Sequence, residues 1–455
     1  MIPSHIFREY DIRGYHATEL TDATAEAVGQ AFGTLIRREG GKRIALGRDV
    51  RPSSVRLVTA VARGALAAGV DVECVGLVPT PALYYAVVAR GCDGGLQVTG
   101  SHNPPEFNGF KMARRDRPVF GADLQAMRAW IEAQDFERGE GTRTELPILD
   151  EYRTMLVERL RSPRGLRVVM DCGNGCAGTV VPGVFERMGH TILPLHAELD
   201  GTFPNHLPDP TVPELLVDLI AEVKRQGADL GIGFDGDADR IGAVDSTGRI
   251  VYGDQLLALF ARDVLQRVPG AEILFDVKCS QGLAEDILAH GGKPSMWKTG
   301  HSLLKSRLKE TGAPLAGEMS GHMFFAEGYF GFDDALFAAG RLLRFVAASG
   351  LSFDDLVRSI PQYFATPEIR LDCTEDRKFA VVEELKRELG SKYTVIDIDG
   401  VRVEFGDGWG LARASNTQPV VVVRFEAKTP ERLAEIQALF LEPLKRLGVG
   451  EAVAH

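Results

Sequence analysis

The chain has 455 residues, of which 45% are hydrophobic and 25% are charged, a composition typical of a globular protein with roughly three or four domains. Its net charge of −11 excludes nucleic acid as a bulk partner, because the phosphate backbone requires a basic surface. The N-terminal segment lacks an apolar signal core, and no apolar run approaches the roughly 18 residues of a membrane span, so we expect a cytoplasmic protein without a membrane partner.

The first predicted elements alternate between strand and helix at the spacing of β-α-β units. Strand-like residues 43–49 are followed by a helical pattern over 53–69, a strand over 71–76 and a strand over 94–98. The last strand runs directly into the polar segment TGSHNP at residues 99–104. Because ligands collect at the carboxyl ends of parallel strands, we expect this loop to face a binding cleft.

Ser101 is the candidate nucleophile of this loop. A serine that carries a phosphoryl group needs positive charge and hydrogen-bond donors around the phosphoryl oxygens, because catalysis of this transfer is largely positioning and electrostatic stabilisation. Candidate groups of this kind are His102, Lys111 and Arg13. The alternative interpretation is an ordinary turn between a strand and a loop, for which a Gly-Ser-His-Asn-Pro segment is also typical.

The alternation repeats in the next part of the chain. A strand is predicted over 166–175, a helix to about Gly189, a strand over 190–196, a helix over 213–226 and a strand over 230–235. The last of these strands ends in the acidic segment DGDADR. The repetition predicts a second α/β unit.

Three aspartates occupy alternate positions in that segment, at Asp235, Asp237 and Asp239. Hard oxygen donors suit Mg²⁺, which also takes oxygens from water or a substrate phosphate, and crowded carboxylates repel one another without a cation. Arg240 follows directly and is a candidate contact for a phosphate oxygen. An acidic, solvated turn is the alternative, but the apolar strand before the segment and the adjacent arginine favour a metal site.

A third round of elements follows. The predicted elements are a helix from Asp254, a strand over 272–280, a helix to His290, a strand over 294–299, a helix to Gly312 and a strand over 313–317. This round ends in the polar segment GEMSGH at residues 317–322. Each round therefore ends a strand at a polar loop, which places the three loops toward one cleft.

From about residue 365 the pattern changes to that of an α+β unit. A strand-like segment and an amphipathic helix precede a hairpin predicted to turn at Asp399 and Gly400. The later loop RASNT, residues 413–417, combines an arginine with small hydrogen-bonding side chains. This composition suits phosphate oxygens, and a hydrophilic turn between two strands is the alternative.

Taken together, these segments resemble the α-D-phosphohexomutase family, and within it the bacterial phosphomannomutase/phosphoglucomutase branch. The matching segments, in the family's order and spacing, are YDIRG (10–14), TGSHNP (99–104), NGFK (108–111), DGDADR (235–240), DVKCS (276–280), KTGHS (298–302), GEMSGH (317–322) and RASNT (413–417). The resemblance implies three related α/β domains with mixed, mostly parallel sheets and a smaller C-terminal α+β domain around a central cleft. The expected domains are 1–146, 147–250, 251–364 and 365–455.

The resemblance also implies roles for individual residues. Ser101 would be phosphorylated, and a phosphoserine oxygen would hold Mg²⁺ together with Asp235, Asp237 and Asp239. The phosphoserine would be surrounded by Arg13, His102, Lys111 and Arg240, with His322 as a proton-transfer group. The implied substrate-binding residues are Tyr10, Lys278, Gly300, His301, Glu318, Ser320, Arg413, Ser415, Asn416 and Thr417.

The implied activity is the interconversion of hexose 1-phosphate and hexose 6-phosphate, of mannose, glucose or both, through a 1,6-bisphosphate intermediate. Glucose or mannose 1,6-bisphosphate would act as activator, and the chain would be a monomer or a homodimer. The alternatives are a phosphoglucosamine mutase, a phosphatase and a catalytically inactive sugar-phosphate-binding regulator. Met319 favours the mannose/glucose branch, since the glucosamine branch typically has glutamine there. The six cysteines are scattered, and we expect reduced thiols.

Overall fold

The computed structural model describes residues 2–415, 418–450 and 452. In this part of the chain the strands form four separate sheets. Each sheet belongs to one of four units that follow one another along the chain. The α/β architecture expected from the sequence, with three related units and a different C-terminal unit, is confirmed. Within the same described ranges, none of the helices combines the length and apolar character needed to cross a membrane.

The first unit is a mixed six-stranded sheet in the order β1-β5-β4-β2-β3-β6. Its strands are β1 (Ile12–Tyr15), β2 (Arg43–Arg48), β3 (Asp71–Leu77), β4 (Gly94–Val98), β5 (Phe107–Arg114) and β6 (Arg143–Glu145). Its helices are α1 (Asp22–Arg38), α2 (Pro52–Ala67), α3 (Thr80–Arg90) and α4 (Ala122–Ala133). Strand β5, which is absent from the predicted elements, returns antiparallel to β4 and pairs Lys111 with Gln97. This return brings Lys111 back toward the loop of Ser101.

The second unit is a five-stranded sheet in the order β11-β10-β9-β7-β8. Its strands are β7 (Arg167–Asp171), β8 (Thr191–Leu195), β9 (Leu230–Phe234), β10 (Ile241–Asp245) and β11 (Ile250–Val251). Its helices are α5 (Leu149–Leu160), α6 (Val181–Arg187) and α7 (Val217–Gln226). Phe234 pairs with Ile241 across β9 and β10, so residues 235–240 form the tight loop of an antiparallel hairpin.

The third unit repeats this arrangement in a four-stranded sheet with the order β13-β12-β14-β15. Its strands are β12 (Glu272–Asp276), β13 (Lys293–Trp297), β14 (Leu315–Gly317) and β15 (Met323–Phe325). Its helices are α8 (Gly253–Leu265), α9 (Gln281–Ala289), α10 (His301–Thr311), α11 (Ala335–Ser349) and α12 (Phe353–Arg358). Gly317 pairs with Met323, which makes residues 318–322 a second hairpin loop. A backbone bridge between Arg240 and His322 joins the two loops.

The fourth unit is an antiparallel sheet in the order β16-β21-β20-β19-β18, with β17 also paired to β21. Its strands are β16 (Phe364–Ala365), β17 (Ile369–Asp372), β18 (Val395–Ile396), β19 (Val401–Glu404), β20 (Gly408–Ala414) and β21 (Val420–Ala427). Its helices are α13 (Lys378–Gly390) and α14 (Pro430–Arg446). The predicted hairpin is confirmed, since Ile396 pairs with Arg402 and Gly400 has a φ of +83° that glycine adopts readily.

The hydrophobic clusters show which units pack together. One cluster of buried side chains runs through the first three units and includes Leu83, Phe185 and Phe260. The fourth unit has its own cluster, which includes Val423 and Phe440. The first three units therefore share one packed base. The fourth has its own core and meets the third through a small apolar cluster of Val277, Trp409 and Leu411. All six cysteines are buried and free, as expected for reduced thiols.

Candidate active site

Ser101 lies just beyond the carboxyl end of β4, where two units meet. Its side chain is buried, and its backbone is in the left-handed region with a φ of +50°, which is costly for a residue with a Cβ. Its Oγ donates a hydrogen bond of 2.8 Å to Asp235 Oδ2, and it lies 3.2 Å from Nδ1 of His102. The candidate nucleophile of the first unit therefore contacts the acidic loop of the second.

The hairpin between β9 and β10 turns the three acidic side chains of its loop toward one point. Asp235, Asp237 and Asp239 are fully buried, and one carboxylate oxygen of each lies within 4.8 Å of the others. Burial, together with repulsion from Asp239 and Asp237, raises the pKa of Asp235 well above its ordinary value. Such a cluster of hard oxygen donors fits a divalent cation of the Mg²⁺ type.

Lys111 supplies one positive charge to this cluster. Its Nζ lies 2.8 Å from Asp237 Oδ2 and 2.5 Å from Asp239 Oδ2. Burial alone would lower the pKa of Lys111, but these carboxylates raise it well above its ordinary value. The other oxygen of Asp237, Oδ1, is buried without a hydrogen-bond partner among the described residues, whereas Oδ1 of Asp239 lies 3.3 Å from Nε2 of His322. Asp237 Oδ1 is therefore an open ligand position for a cation.

Three further basic groups lie around Ser101. Arg13 donates from Nη1 to Asn103 Oδ1 at 2.8 Å, which ties it to the serine loop. Nε of Arg240 lies 3.4 Å from Nε2 of His322. Burial, with the nearby charge of Arg240, lowers the pKa of His102 well below its usual range. The sequence-predicted set around Ser101 is thus brought together in space.

The loop of the third unit lies against the acidic loop through His322. Its Nδ1 is 2.9 Å from Glu318 Oε2, and its Nε2 is 3.3 Å from Asp239 Oδ1. Burial by itself lowers the pKa of His322, but Asp239 and Glu318 raise it to about 9. The hydroxyl of Ser320 lies 3.1 Å from Nδ1 of the same histidine. Three predicted residues of GEMSGH therefore form one hydrogen-bonded group.

The segment before α10 extends this group toward the first unit. The ring of His301 stacks on His322 with a centroid distance of 5.3 Å, and the ring of Tyr10 lies 5.8 Å from His301. Glu318 Oε1 accepts from the Gly300 backbone N–H at 2.7 Å. A Cβ at Gly300 would lie 2.6 Å from the ring of Tyr10, so this close approach requires glycine. The side chains of His322, His301, Tyr10 and Glu318 and the backbone of Gly300 therefore form one continuous wall of the site, the wall around His322.

The predicted residues Lys278 and Arg413 lie where the third and fourth units meet. Lys278 Nζ lies 3.1 Å from Glu368 Oε2, and Arg413 Nε lies 2.9 Å from Asp399 Oδ2. Asp399 Oδ2 also accepts from the backbone N–H of Thr299 at 3.1 Å. The hydroxyl of Ser415 accepts from the backbone N–H of Gln418 at 3.2 Å. The other two residues predicted in this loop, Asn416 and Thr417, lie outside the described residues.

Comparison with known proteins identifies this arrangement. Models described as phosphoglucomutase/phosphomannomutase alpha/beta/alpha domains I, II and III and the C-terminal domain match residues 4–138, 150–248, 252–364 and 368–442. The chain belongs to the phosphoglucomutase/phosphomannomutase family. The resemblance drawn from the sequence motifs is therefore confirmed.

Full-length relatives support this assignment. The phosphomannomutase/phosphoglucomutase of Pseudomonas aeruginosa is 47% identical over 98% of this chain and 96% of its own length. A phosphoglucomutase of Neisseria gonorrhoeae is 44% identical over 96% of each chain. The crystal structure of a phosphoglucomutase/phosphomannomutase family protein from Burkholderia thailandensis superposes with a TM-score of 0.94 at 44% identity, covering 98% of each chain.

Several residues that hold this site lie outside the sequence motifs. Thr80, at the start of α3, donates from Oγ1 to Asp237 Oδ2 at 2.6 Å across 157 residues of sequence. Asp49 and Arg51, just after β2, are buried beneath the loop of Ser101. Their position after a parallel strand beside β4 was a usable signal, because neighbouring strands end at the same edge of a sheet.

Proposed function

We propose that this mutase interconverts the 1-phosphate and 6-phosphate of mannose, glucose or both, through a phosphorylated Ser101 and a 1,6-bisphosphate intermediate. Family membership makes the chain a hexose-phosphate mutase, and relatives named for both sugars support the sugar range. The observation that carries the proposed mechanism is the buried 2.8 Å contact between Ser101 Oγ and Asp235 Oδ2. It joins a nucleophile to a cluster of carboxylates and an ammonium group, as phosphoryl transfer requires.

Mg²⁺ is the cation that we propose for this cluster. Asp235, Asp237 and Asp239, together with an oxygen of phosphorylated Ser101, would hold it. The buried Oδ1 atom of Asp237, which has no hydrogen-bond partner among the described residues, supports the assignment. When bound, the cation would neutralise the charge that develops on the transferred phosphoryl group.

The protein's own residues would perform the remaining work at the transfer site. Lys111, Arg240, Arg13 and His102 would donate to the phosphoryl oxygens that the cation leaves free, which stabilises the transition state electrostatically. Burial of these groups excludes water and so protects the phosphoserine from hydrolysis. The phosphoryl group would pass from Ser101 Oγ to a sugar hydroxyl rather than to water.

The wall around His322 would bind the sugar and recognise its hydroxyl groups. Glu318 and Ser320 would bind the hydroxyls at C3 and C4, which glucose and mannose share, while Lys278, Gly300 and His301 would line the pocket. In the transfer, O1 or O6 of the sugar bonds to phosphorus, the bond from phosphorus to Ser101 Oγ breaks, and the proton of the attacking hydroxyl leaves. His322 would take this proton in its neutral form, and the protonated His322 would return it in the reverse transfer, as microscopic reversibility requires.

A second phosphate site completes the mechanism. Arg413 and Ser415, with Asn416 and Thr417, would hold the phosphate that is not being transferred. The 1,6-bisphosphate would turn end for end between two transfers, so that its other phosphate returns to Ser101. Free glucose or mannose 1,6-bisphosphate would act as activator by rephosphorylating Ser101.

The broader properties follow the same assignment. We infer domains at 1–146, 147–250, 251–364 and 365–455, and the four successive matched segments support a four-part division. Hexose phosphates would be the partners, in the cytoplasm, and the net charge of −11 disfavours nucleic acid. The assembly would be a monomer or a homodimer. A phosphoglucosamine mutase and an inactive sugar-phosphate-binding regulator are not favoured by the relatives' names or by the complete site.

The decisive experiment is a coupled assay with Mg²⁺ and a trace of glucose 1,6-bisphosphate on mannose 1-phosphate, glucose 1-phosphate and glucosamine 1-phosphate. We expect turnover of the first two substrates and its loss in Ser101→Ala. Dominant turnover of glucosamine 1-phosphate would instead identify a phosphoglucosamine mutase. Full activity of Ser101→Ala would remove Ser101 as the nucleophile.

A further inference from the structure

Arg51 lies directly beneath the loop of Ser101 and is connected to it at several points. The residue immediately precedes α2, and its side chain is fully buried. Its two Nη groups donate to four backbone carbonyls of one loop, those of Ser101 at 2.9 Å, Asn103 at 2.5 Å, Pro104 at 2.6 Å and Phe107 at 3.0 Å. A single guanidinium therefore spans the loop from the candidate nucleophile to the start of β5.

Asp49 fixes this guanidinium from the opposite side. Its Oδ2 accepts from Arg51 Nε at 3.2 Å and from the backbone N–H of Gly100 at 3.1 Å. Its Oδ1 accepts from Ser54 Oγ at 2.5 Å. The carboxylate neutralises the buried charge and attaches the residue before Ser101 to the same guanidinium. The loop is thus held on both sides of the nucleophile.

The second unit packs against the same point. The ring of Phe203 lies 4.9 Å from Cζ of Arg51, and a Cβ at Gly201 would lie 2.4 Å from Cα of Arg51. A Cβ at Gly236 of the acidic loop would lie 2.4 Å from the carbonyl oxygen of Ser101. That oxygen is consequently enclosed between the guanidinium of Arg51 and the backbone of the acidic loop. Arg51 therefore fixes the separation between the nucleophile and the proposed cation ligands.

We propose that Arg51 is a positioning residue for phosphoryl transfer, which holds Ser101 in its left-handed conformation with Oγ directed at Asp235. The proposal rests on the proposed role of Ser101 as the phosphorylated nucleophile. Arginine is required because its planar fork presents several N–H groups in fixed directions, whereas lysine has a single ammonium centre. A lysine in this position would keep the charge and lose most of the four carbonyl contacts.

Arg51→Lys tests this role against a merely structural one. A small displacement of a reacting atom can cost about 100-fold in rate, so we expect a loss of kcat on the order of 100-fold with KM nearly unchanged. The single-turnover rate of phosphoryl transfer from the phosphoenzyme should fall equally, and the phosphorus NMR resonance of the phosphoserine should shift. Arg341→Lys is the matched control, because Arg341 is also buried and pairs with Asp263 far from this loop.

The control should lose stability while its kcat and phosphorus resonance match those of the wild type. If Arg51→Lys retains the kcat of this control, the positioning role is overturned. If Arg51→Lys does not fold, Asp49→Asn decides, because it loosens the guanidinium without removing any of its atoms. Asp49→Asn is expected to lower kcat with KM unchanged, and wild-type kcat would overturn the proposal. Activity in Ser101→Ala would instead show that the proposed function itself has failed.

Discussion

Replacing Lys111 with methionine tests whether the acidic loop depends on one buried ammonium group. The Nζ atom lies 2.8 and 2.5 Å from oxygens of Asp237 and Asp239, in a side chain that is 7% exposed. Methionine keeps most of the volume and removes the charge. Removal of one partner of a buried ion pair typically costs about 3–5 kcal/mol, because the remaining charge stays buried. Without a divalent cation, Lys111→Met should therefore unfold at a markedly lower urea concentration than the wild type.

Magnesium is expected to return part of this stability, because a divalent cation replaces the charge that the ammonium supplied. We expect Lys111→Met to bind Mg²⁺ roughly tenfold more tightly than the wild type, which corresponds to about 1.4 kcal/mol. The assay is urea unfolding in EDTA and in Mg²⁺, combined with a calorimetric titration of Mg²⁺ into each folded protein. Turnover should nevertheless fall, since the phosphoryl oxygens lose a fixed positive charge.

Lys305→Met is the matched control for this substitution. Lys305 is similarly buried, and its Nζ lies 2.9 Å from Asp333 Oδ1 rather than on the proposed cation ligands. It should lose stability in EDTA without a gain in Mg²⁺ affinity. Equal Mg²⁺ affinities of Lys111→Met and the wild type would refute the reasoning, because the ammonium and the cation would then not share the same carboxylates.

Three further substitutions test other parts of the site and fold. Gly236→Ala places a Cβ 2.4 Å from the carbonyl oxygen of Ser101 and should lower kcat on the order of 100-fold in initial-rate assays. Burial alone would lower the pKa of His206, but Asp171 raises it. The ion pair of protonated His206 with Asp171 therefore stabilises the folded state fully below about pH 6.5, and this stabilisation is lost as pH rises through the pKa of His206 in the folded protein. His206→Asn should thus lower Tm more in acidic than in alkaline buffer. Asp399→Asn frees the arginine of the C-terminal loop and should raise KM severalfold with little change in kcat.

The parts of the site that can be predicted from the sequence are those formed by consecutive residues of one segment. Asp235 and its neighbours occupy a hairpin loop directly after an apolar strand, so both their chemistry and their location can be inferred from one segment. The contacts of Thr80 and Arg51 cannot be inferred from the side chains of their own segments, although the position of Arg51 after β2 indicates that it lies near the loop of Ser101. Thr80 contacts Asp237 across 157 residues, and Arg51 acts on backbone carbonyls, which every residue has. Neither contact leaves a pattern in the side chains of its own segment.

The arrangement of cores bears on how one nucleophile can serve two phosphates. The loops of the second and third units are joined through Arg240 and His322, so the proposed transfer site and the wall around His322 form one body. The fourth unit packs around its own core. It meets that body through a small apolar cluster of Val277, Trp409 and Leu411 and through polar contacts such as Arg402 with the carbonyl of Val277. Separation of the two bodies would expose this small cluster but leave the main core of the fourth unit intact. The proposed turning of a bisphosphate between two transfers would use this combination of a fixed nucleophile and a fourth unit that can separate while it holds the other phosphate.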